Sequence, residues 1–372
     1  MTAKQLKSNA RYYSVGSSIT YDKLEAIKLS ENTGHHIEYH VPEFLLQHPM
    51  HIEPEQDMWT LCTAHAQRIR KDYDYIRFWY SGGSDSDYML KVFLAAGVYI
   101  DEIIMVKCGI PGTDWEIDDI AIQNLKKIKS QIPNTKIRIE TKTIDNYYDT
   151  DNFWFDTNIK LGRASKCITY LRLNEELESI NLYESYGRTV NVVGIDKPSI
   201  CYVNQRWYTY FLDAYDYQPG TDTNDFCCFF EDDPLVFAKQ CHLLKNAIVR
   251  TVDNTQYNSF RKEKMYERFL NQSIQRISQS EYFIPCKNNY EHPSVCGLNK
   301  KELDAKLYMT KHHPGVMEHY KNGIEHLKTV STKWWNNNNP EQGPIGCLAA
   351  FLCLDEQHTT TVDELFPNGF NI

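Results

Sequence analysis

One junction between two apolar runs restricts the fold of this chain more than any other feature. Residues 75–80, Tyr-Ile-Arg-Phe-Trp-Tyr, are a compact aromatic and β-branched run of the kind buried strands have. They stop at Ser81-Gly-Gly-Ser-Asp-Ser86. Beyond that, Met89, Val92, Phe93 and Ala96 recur at i, i+3, i+4 and i+7, as one face of a helix does, and Gly97 offers a C-terminal stop. The pattern predicts strand, glycine-rich turn, helix. Gly82 and Gly83 let the backbone turn tightly and bring its N–H groups close to a ligand. A helix start adds unpaired donors and the positive end of a dipole, so an anion is the expected occupant. Ser81, Ser84 and Ser86 supply hydroxyls, and Asp85 supplies a carboxylate suited to a Mg²⁺ ion that carries the anion's charge. Locally, an ordinary glycine turn before a serine-capped helix has the same residues.

The pattern continues downstream. Residues 100–106 form a second apolar strand, ending at Lys107-Cys-Gly-Ile-Pro-Gly112. Thr113-Asp-Trp-Glu116 has capping-box spacing, and Ile117, Ile120, Ala121, Leu125 and Ile128 make a helical stripe. Residues 137–141 and 189–193 are further strands, the latter closing on Gly194-Ile-Asp-Lys-Pro198. Alternating strands and helices imply right-handed βαβ units and a parallel sheet. The expected fold class is therefore α/β: a parallel sheet of about five strands flanked by helices, with N-terminal elements and a mostly helical C-terminal region. Ligands in such sheets bind at the carboxyl ends of strands, where residues 81–86, 107–113 and 194–198 all fall. There Gly194, Asp196 and Lys197 bring together a glycine, a carboxylate and a cation. Lys197 suits an α-phosphate where charge builds during attack. Asp196 suits metal binding, orientation of Lys197 or substrate contact, while a plain Gly-x-Asp-x-Pro turn accounts for the same residues.

A strand followed by Ser81-Gly-Gly-Ser-Asp-Ser86 resembles the pyrophosphate-binding SGGxDS loop of the PP-loop ATP pyrophosphatases. That superfamily includes the synthetase domains for asparagine, GMP and NAD, tRNA thiolation enzymes, 7-deazaguanine synthases and sulfonucleotide reductases. Neither GxxxxGK[ST] nor GxGxxG occurs. Residues 194–198 and 229–245 also resemble uncharacterised phage-encoded PP-loop proteins. The resemblance implies a Rossmann-like fold that binds ATP and Mg²⁺, with the loop residues Ser81, Gly82, Gly83, Ser84, Asp85 and Ser86 on the β- and γ-phosphates. It further implies adenine near the second strand end, making Cys108 and Gly109 candidates for backbone contact with the base. Cys108 also suits a small buried thiol in a turn.

The remaining chain is less distinctive. Residues 1–72 are expected to form an N-terminal layer or subdomain, with a helix over 18–31 carrying Tyr21, Leu24 and Ile27 or Leu29 on its apolar side. An edge strand is expected over 36–40, and a helix over 59–69. His35, His36 and His40 invite a metal reading, but no further ligand completes a set at recognisable spacing. The nucleotide domain is expected over 73–230 and a mainly helical substrate or interaction region over 231–372. Within the first of these, Arg163 and Lys166 open a predicted helix reaching about residue 180. Two cations at a positive helix end suit a phosphate held between them; a pair of solvated surface charges suits them equally. Aromatic strands in a hairpin are expected over 202–217. A helix is expected from Pro234 to about Asn271, with Leu235, Phe237, Ala238, Cys241, Leu244 and Ile248 apolar and Arg261, Lys262, Lys264 and Arg268 locally basic. A short apolar helix is expected over 345–354.

Composition narrows the partners. The 372 residues carry a net charge of −9, which disfavours a broad electrostatic grip on nucleic acid. No apolar run approaches membrane-spanning length, and residues 1–14 lack the apolar core of a signal peptide. Eleven cysteines without such a leader point to free thiols in a reducing, cytoplasmic setting.

By the resemblance, the expected chemistry is ATP cleavage between the α and β phosphates: a substrate oxygen attacks the α-phosphate and pyrophosphate leaves. The adenylated carbonyl or carboxylate is then open to amidation or thiolation, as in a ligase. Positioning and charge neutralisation carry such a step, with Asp85, Lys197 and Lys166 as the candidate catalytic residues and Asp85 as the Mg²⁺ ligand. Cofactor-binding candidates are the loop with Cys108, Gly109, Arg163, Gly194 and Asp196. The partners expected are ATP, an acceptor, and an amine or sulfur donor, free or protein-delivered. A tRNA acceptor and a homo-oligomer stay open, and no membrane partner is expected. Two alternatives also stay open. One is a sulfonucleotide reductase, for which Cys296 in Ser294-Val-Cys-Gly-Leu298 only faintly matches the catalytic segment and Cys227-Cys228 lacks a completing C-x-x-C. The other is a nucleotide-binding assembly protein without turnover.

Overall fold

A computed structural model describes residues 11–21, 23–107, 114–141, 186–194, 198–212, 224–253, 311–312, 349–357, 359–360 and 365. The chain opens with strands β1 (Tyr12–Val15) and β2 (Ser18–Thr20), helix α1 (Lys23–Thr33) and strand β3 (Ile37–His40). These strands form an antiparallel sheet in the order β2-β1-β3, so β3 is an edge strand as its alternation predicts. The helix expected over 18–31 starts only at Lys23. Gly16, at φ +59°, turns the chain back so that Thr20 pairs with Tyr13, and pairing takes residues 18–20 out of the helix. Tyr21 therefore precedes the helix and is exposed, whereas Ala26 and Ile27 are fully buried. Two helices follow, α2 (Glu43–Gln47) and α3 (Met58–Asp72), the latter capped by Asp57, whose carboxylate accepts from Thr60 N–H at 2.7 Å.

The central sheet contains β4 (Tyr75–Trp79), β5 (Glu102–Lys107), β6 (Lys136–Thr141), β7 (Thr189–Val193) and β10 (Asn224–Cys228), all parallel, in the order β10-β7-β4-β5-β6. The five-stranded α/β sheet expected from sequence is thus present. Ile76 and Phe78 of β4 pack with Leu61, Ala66 and Ile69 of α3 and with Met89, Val92 and Phe93 of α4 (Ser84–Ala95). Full burial of one such aliphatic or phenyl side chain contributes about 1.5–3 kcal/mol. The C-terminus of α4 is a Schellman motif. Gly97, at φ +65°, donates to Leu94 C=O at 3.1 Å, and Val98 N–H donates to Phe93 C=O at 3.0 Å. Helix α5 opens with a π-helical turn (Glu116–Ala121) and continues as α-helix (Ile122–Lys127), burying Ile117, Ile120, Ala121 and Leu125 as the stripe predicts. Thr113 of the expected capping box lies outside the described residues.

Strands β8 (Ser199–Val203) and β9 (Arg206–Leu212) form a hairpin that begins before the range 202–217 expected for it, and residues 213–217 lie outside the described residues. Its two turn residues, Asn204 and Gln205, both have positive φ, the twist-matched form of a two-residue turn. Helix α6 (Pro234–Asp253) is capped by Asp233, whose Oδ1 accepts from Leu235 and Val236 N–H at 3.0 and 2.9 Å. Its apolar side is Val236, Phe237, Ala238, Cys241 and Leu244, while Leu235 is on the exposed side. Residues 254–271 of the expected longer helix lie outside the described residues.

A further expectation is overturned. Residues 349–353, placed in a short helix, form strand β11 (Ala349–Cys353), which pairs with β9 and with β12 (Thr359–Thr360). A five-residue apolar run has no period to separate buried strand from buried helix, and pairing with β9 decides it. Phe351 and Cys353 pack in one cluster, Leu352 and Leu354 in the main core, so both faces of the run are covered. The sheet order is β12-β11-β9-β8, drawing strands from both sides of residue 230. Among the described residues, the C-terminal region contains strands β11 and β12 beside the helix Pro234–Asp253.

Candidate functional site

The order of the central sheet creates a switch point. From β4 the chain proceeds outward through β5 and β6, then returns to place β7 on the other side of β4. Connections leave β4 and β7 in opposite directions, so a crevice opens at their carboxyl ends. The turn 81–86 leaves β4 there, and Gly194 leaves β7 there. A Cβ built on Gly194 would come within 3.4 Å of Ser86 N and 3.5 Å of both the Asp85 carbonyl carbon and Phe230 Cε2. The two strand ends expected to share a site are thus in contact.

The turn has a defined internal geometry. Gly82 is buried at φ +76°, a conformation that L side chains rarely adopt. Gly83 is the N-cap of α4 in extended conformation, and no side chain caps the helix. Asp87 N–H donates to Gly83 C=O at 2.9 Å, closing the first helical turn. Gly83 N–H donates to Ser81 Oγ at 3.2 Å, the Ser81 and Ser86 hydroxyls are 3.1 Å apart, and Ser86 Oγ donates to Gly83 C=O at 3.1 Å. The Ser81 and Ser86 hydroxyls therefore brace the turn, and the anion-directed donors left are those of the helix start itself. Asp85 lies half-buried in the first helical turn, beside Asp87.

Several groups without a sequence motif support this turn. Tyr80, the residue before it, is buried, and its Oη donates to Asp87 Oδ1 at 2.9 Å. Burial, then the adjacent Asp87 carboxylate, raise the Tyr80 phenol well above its ordinary range, so it stays protonated and donates. Asn124 Nδ2 donates to both Tyr80 Oη and Asp87 Oδ1 at 3.4 Å, and Lys91 Nζ is 2.7 Å from Asp87 Oδ2. On the neighbouring strand end, Lys107 is ion-paired with Asp118 of the π-helical turn. The i, i+4 spacing of Asp87 and Lys91 is visible in sequence; the Tyr80 and Asn124 contacts are not.

Beneath the crevice, the second face of the sheet is apolar at its rim and charged below. Trp79, Ile104, Val193 and Cys228 cluster there with Val106. Arg77, fully buried, donates from Nε to Glu102 Oε2 at 3.2 Å and from Nη1 to Asn191 Oδ1 at 3.3 Å; Trp79 Nε1 donates to the same Asn191 oxygen at 3.1 Å. Glu102 Oε1 lies 3.2 Å from Arg138 Nε and 3.3 Å from Lys136 Nζ, ion pairs without hydrogen-bond alignment. The buried Arg77 is compensated by one carboxylate, Glu102 of β5, which it shares with Arg138 and Lys136 of β6, and by the neutral amide of Asn191 on β7.

Of the candidates drawn from sequence, Ser81, Gly82, Gly83, Ser84, Asp85, Ser86 and Gly194 are brought to one place. Cys108, Gly109, Arg163, Lys166, Asp196, Lys197 and Cys296 lie outside the described residues. Cys227 and Cys228 are buried at the end of β10, and Cys227 Sγ lies 3.8 Å from His65 Nε2. Among the described residues no group of three or more His, Cys, Asp or Glu is placed to hold a metal ion, including at His35, His36 and His40. No described helix is long and apolar enough to cross a membrane. No protein-family model matches the chain, and no curated protein matches its sequence.

Proposed function

We propose that this chain is a PP-loop ATP pyrophosphatase that adenylates a carbonyl or carboxylate substrate and releases pyrophosphate. The observation that carries this reading is the turn itself: a left-handed Gly82 and an uncapped Gly83 start a helix at the switch point of a parallel sheet, against a second glycine, Gly194. A side chain at Gly194 would fill the space beside the Ser86 N–H, a first-turn donor of α4.

The donor set suits a polyphosphate. The N–H groups of Ser84, Asp85 and Ser86 would hold the β- and γ-phosphate oxygens, aided by the helix dipole. Asp85, half-buried in the first turn, fits a Mg²⁺ ligand, since a hard cation takes carboxylate oxygen together with phosphate oxygens. Bound there, Mg²⁺ would supply neutralisation of phosphate charge. The chain's own contribution is to bind the tail, keep it in line for attack at the α-phosphate and stabilise the leaving pyrophosphate. Lys197 and Lys166 are the proposed cations on the α-phosphate side.

The acceptor is open to direct test. Pyrophosphate release from Mg·ATP is measured with amino acids, deazapurines and tRNA added in turn. Substrate-stimulated release supports the reading and names the acceptor class. Stoichiometric binding of ATP without release under every condition would instead favour a non-catalytic nucleotide-binding protein.

A further inference from the structure

We propose that Tyr80, Asp87 and Asn124 are positioning residues for the phosphate turn, clamping the residue that enters it to the helix that leaves it. This rests on the nucleotide reading above and adds to it residues outside the SGGSDS motif.

Asp87 is in the first turn of α4, where an acidic side chain commonly serves the helix's own N–H groups, yet no side chain caps α4. Its Oδ1 instead accepts from Tyr80 Oη and Asn124 Nδ2, and its Oδ2 is held by Lys91. Asp87 is only 8% exposed, and a carboxylate at that depth is costly unless hydrogen-bonded. Its partners come from three elements: the end of β4, the neighbouring turn of α4, and α5.

These contacts close a loop around the motif. Tyr80 is fixed to the sheet through its N–H, which donates to Ile104 C=O at 2.9 Å. Asp87 is fixed to α4 through its N–H to Gly83 C=O. The Tyr80–Asp87 hydrogen bond therefore spans the six motif residues and sets the height of the first turn of α4 above the sheet. Helix α5 engages the same turn twice, through Asn124 and through its backbone against Gly82. Phosphate-binding N–H groups are effective only when held within a few tenths of an ångström of their working positions, which such a clamp supplies.

The test uses the full chain and the variants Tyr80→Phe, Asp87→Asn and the two combined. In the nucleotide-free protein, hydrogen exchange at the Asp87 amide reports closure of the turn, with α3 amides as internal reference. Tyr80→Phe is expected to speed exchange at Asp87 by about 10-fold and leave α3 unchanged. In pyrophosphate release it is expected to lower kcat by about 10-fold with KM for Mg·ATP changed less than about 3-fold. The combined variant is expected to be no worse than the worse single one, since the residues act as a unit. Unchanged exchange at Asp87 in Tyr80→Phe overturns the proposal, as does a fall in melting temperature with kcat intact. Should the unsubstituted protein release no pyrophosphate, the adenylation reading fails, and the exchange measurement still decides the clamp.

Discussion

Gly82 lies so close to Ala121 that a Cβ on the glycine would sit 2.8 Å from both the Cβ and the backbone N of Ala121, and 2.9 Å from Glu116 C=O. The glycine is thus required twice, by φ +76° and by the helix packed over it. Gly97 has a similar φ of +65° but nothing within 4 Å of its built Cβ. Gly97→Ala is expected to cost about 1 kcal/mol from backbone conformation alone. Gly82→Ala adds overpacking against backbone, for a total of about 2–4 kcal/mol. Urea denaturation of the two variants checks the difference; equal costs would show that the helix yields to the added methyl.

Gly194 separates binding from stability in the opposite sense. A methyl there meets Ser86 N at 3.4 Å, ordinary van der Waals contact, so Gly194→Ala should alter stability by less than about 1 kcal/mol. It would nonetheless cover a first-turn donor, and Mg·ATP affinity is expected to fall by about 10-fold. Titration calorimetry reads this directly. Binding at the unsubstituted affinity would remove the Ser86 N–H from the site.

Asp85→Asn keeps the shape and removes the charge. The expected outcome is a loss of pyrophosphate release of at least about 100-fold with an unchanged circular dichroism spectrum and melting curve. Chelation of Mg²⁺ should abolish release in the unsubstituted protein as well. Release by Asp85→Asn at the original rate would exclude its carboxylate from the chemistry.

His65 carries a pH prediction. It is buried beside Asp233 and Phe229, with Nδ1 3.5 Å from Asp233 Oδ2, and burial lowers its pKa to about 4 against the opposing pull of Asp233. The native state therefore favours the neutral ring, while the unfolded chain takes up a proton near pH 6.5. Stability from this residue is fully present above about pH 6.5 and is lost as pH falls toward 4, by about 3 kcal/mol in all. Urea midpoints between pH 7 and pH 4 should fall steeply, and His65→Gln should flatten that slope. An equally steep slope in the variant would assign the loss to carboxylates instead.

The parallel sheet, its strands near 75–79, 102–107, 136–141 and 189–193, and the turn 81–86 were legible because each is a local pattern. The buried strands β4, β5 and β7 read as short, mostly apolar runs, β6 as an alternating one, and Met89, Val92 and Phe93 carry their helix in their spacing. Residues 18–20 and 349–353 were not legible in the same way. Each is too short to show a period, and each became a strand because another segment offered it hydrogen bonds, Tyr13 to Val15 in the first case and β9 in the second.

The same division applies to the site. The residue order alone determined that a glycine turn joins a strand to a helix, since φ preferences, helix dipole and apolar spacing belong to neighbouring residues. Only the tertiary structure decided that Gly194 faces Ser86, that Ala121 closes over Gly82 and that Asp87 is held by Tyr80 and Asn124. Those partners are separated along the chain by anything from seven to over one hundred residues. Their meeting depends on strand order and on which face each helix covers, and no local preference encodes either.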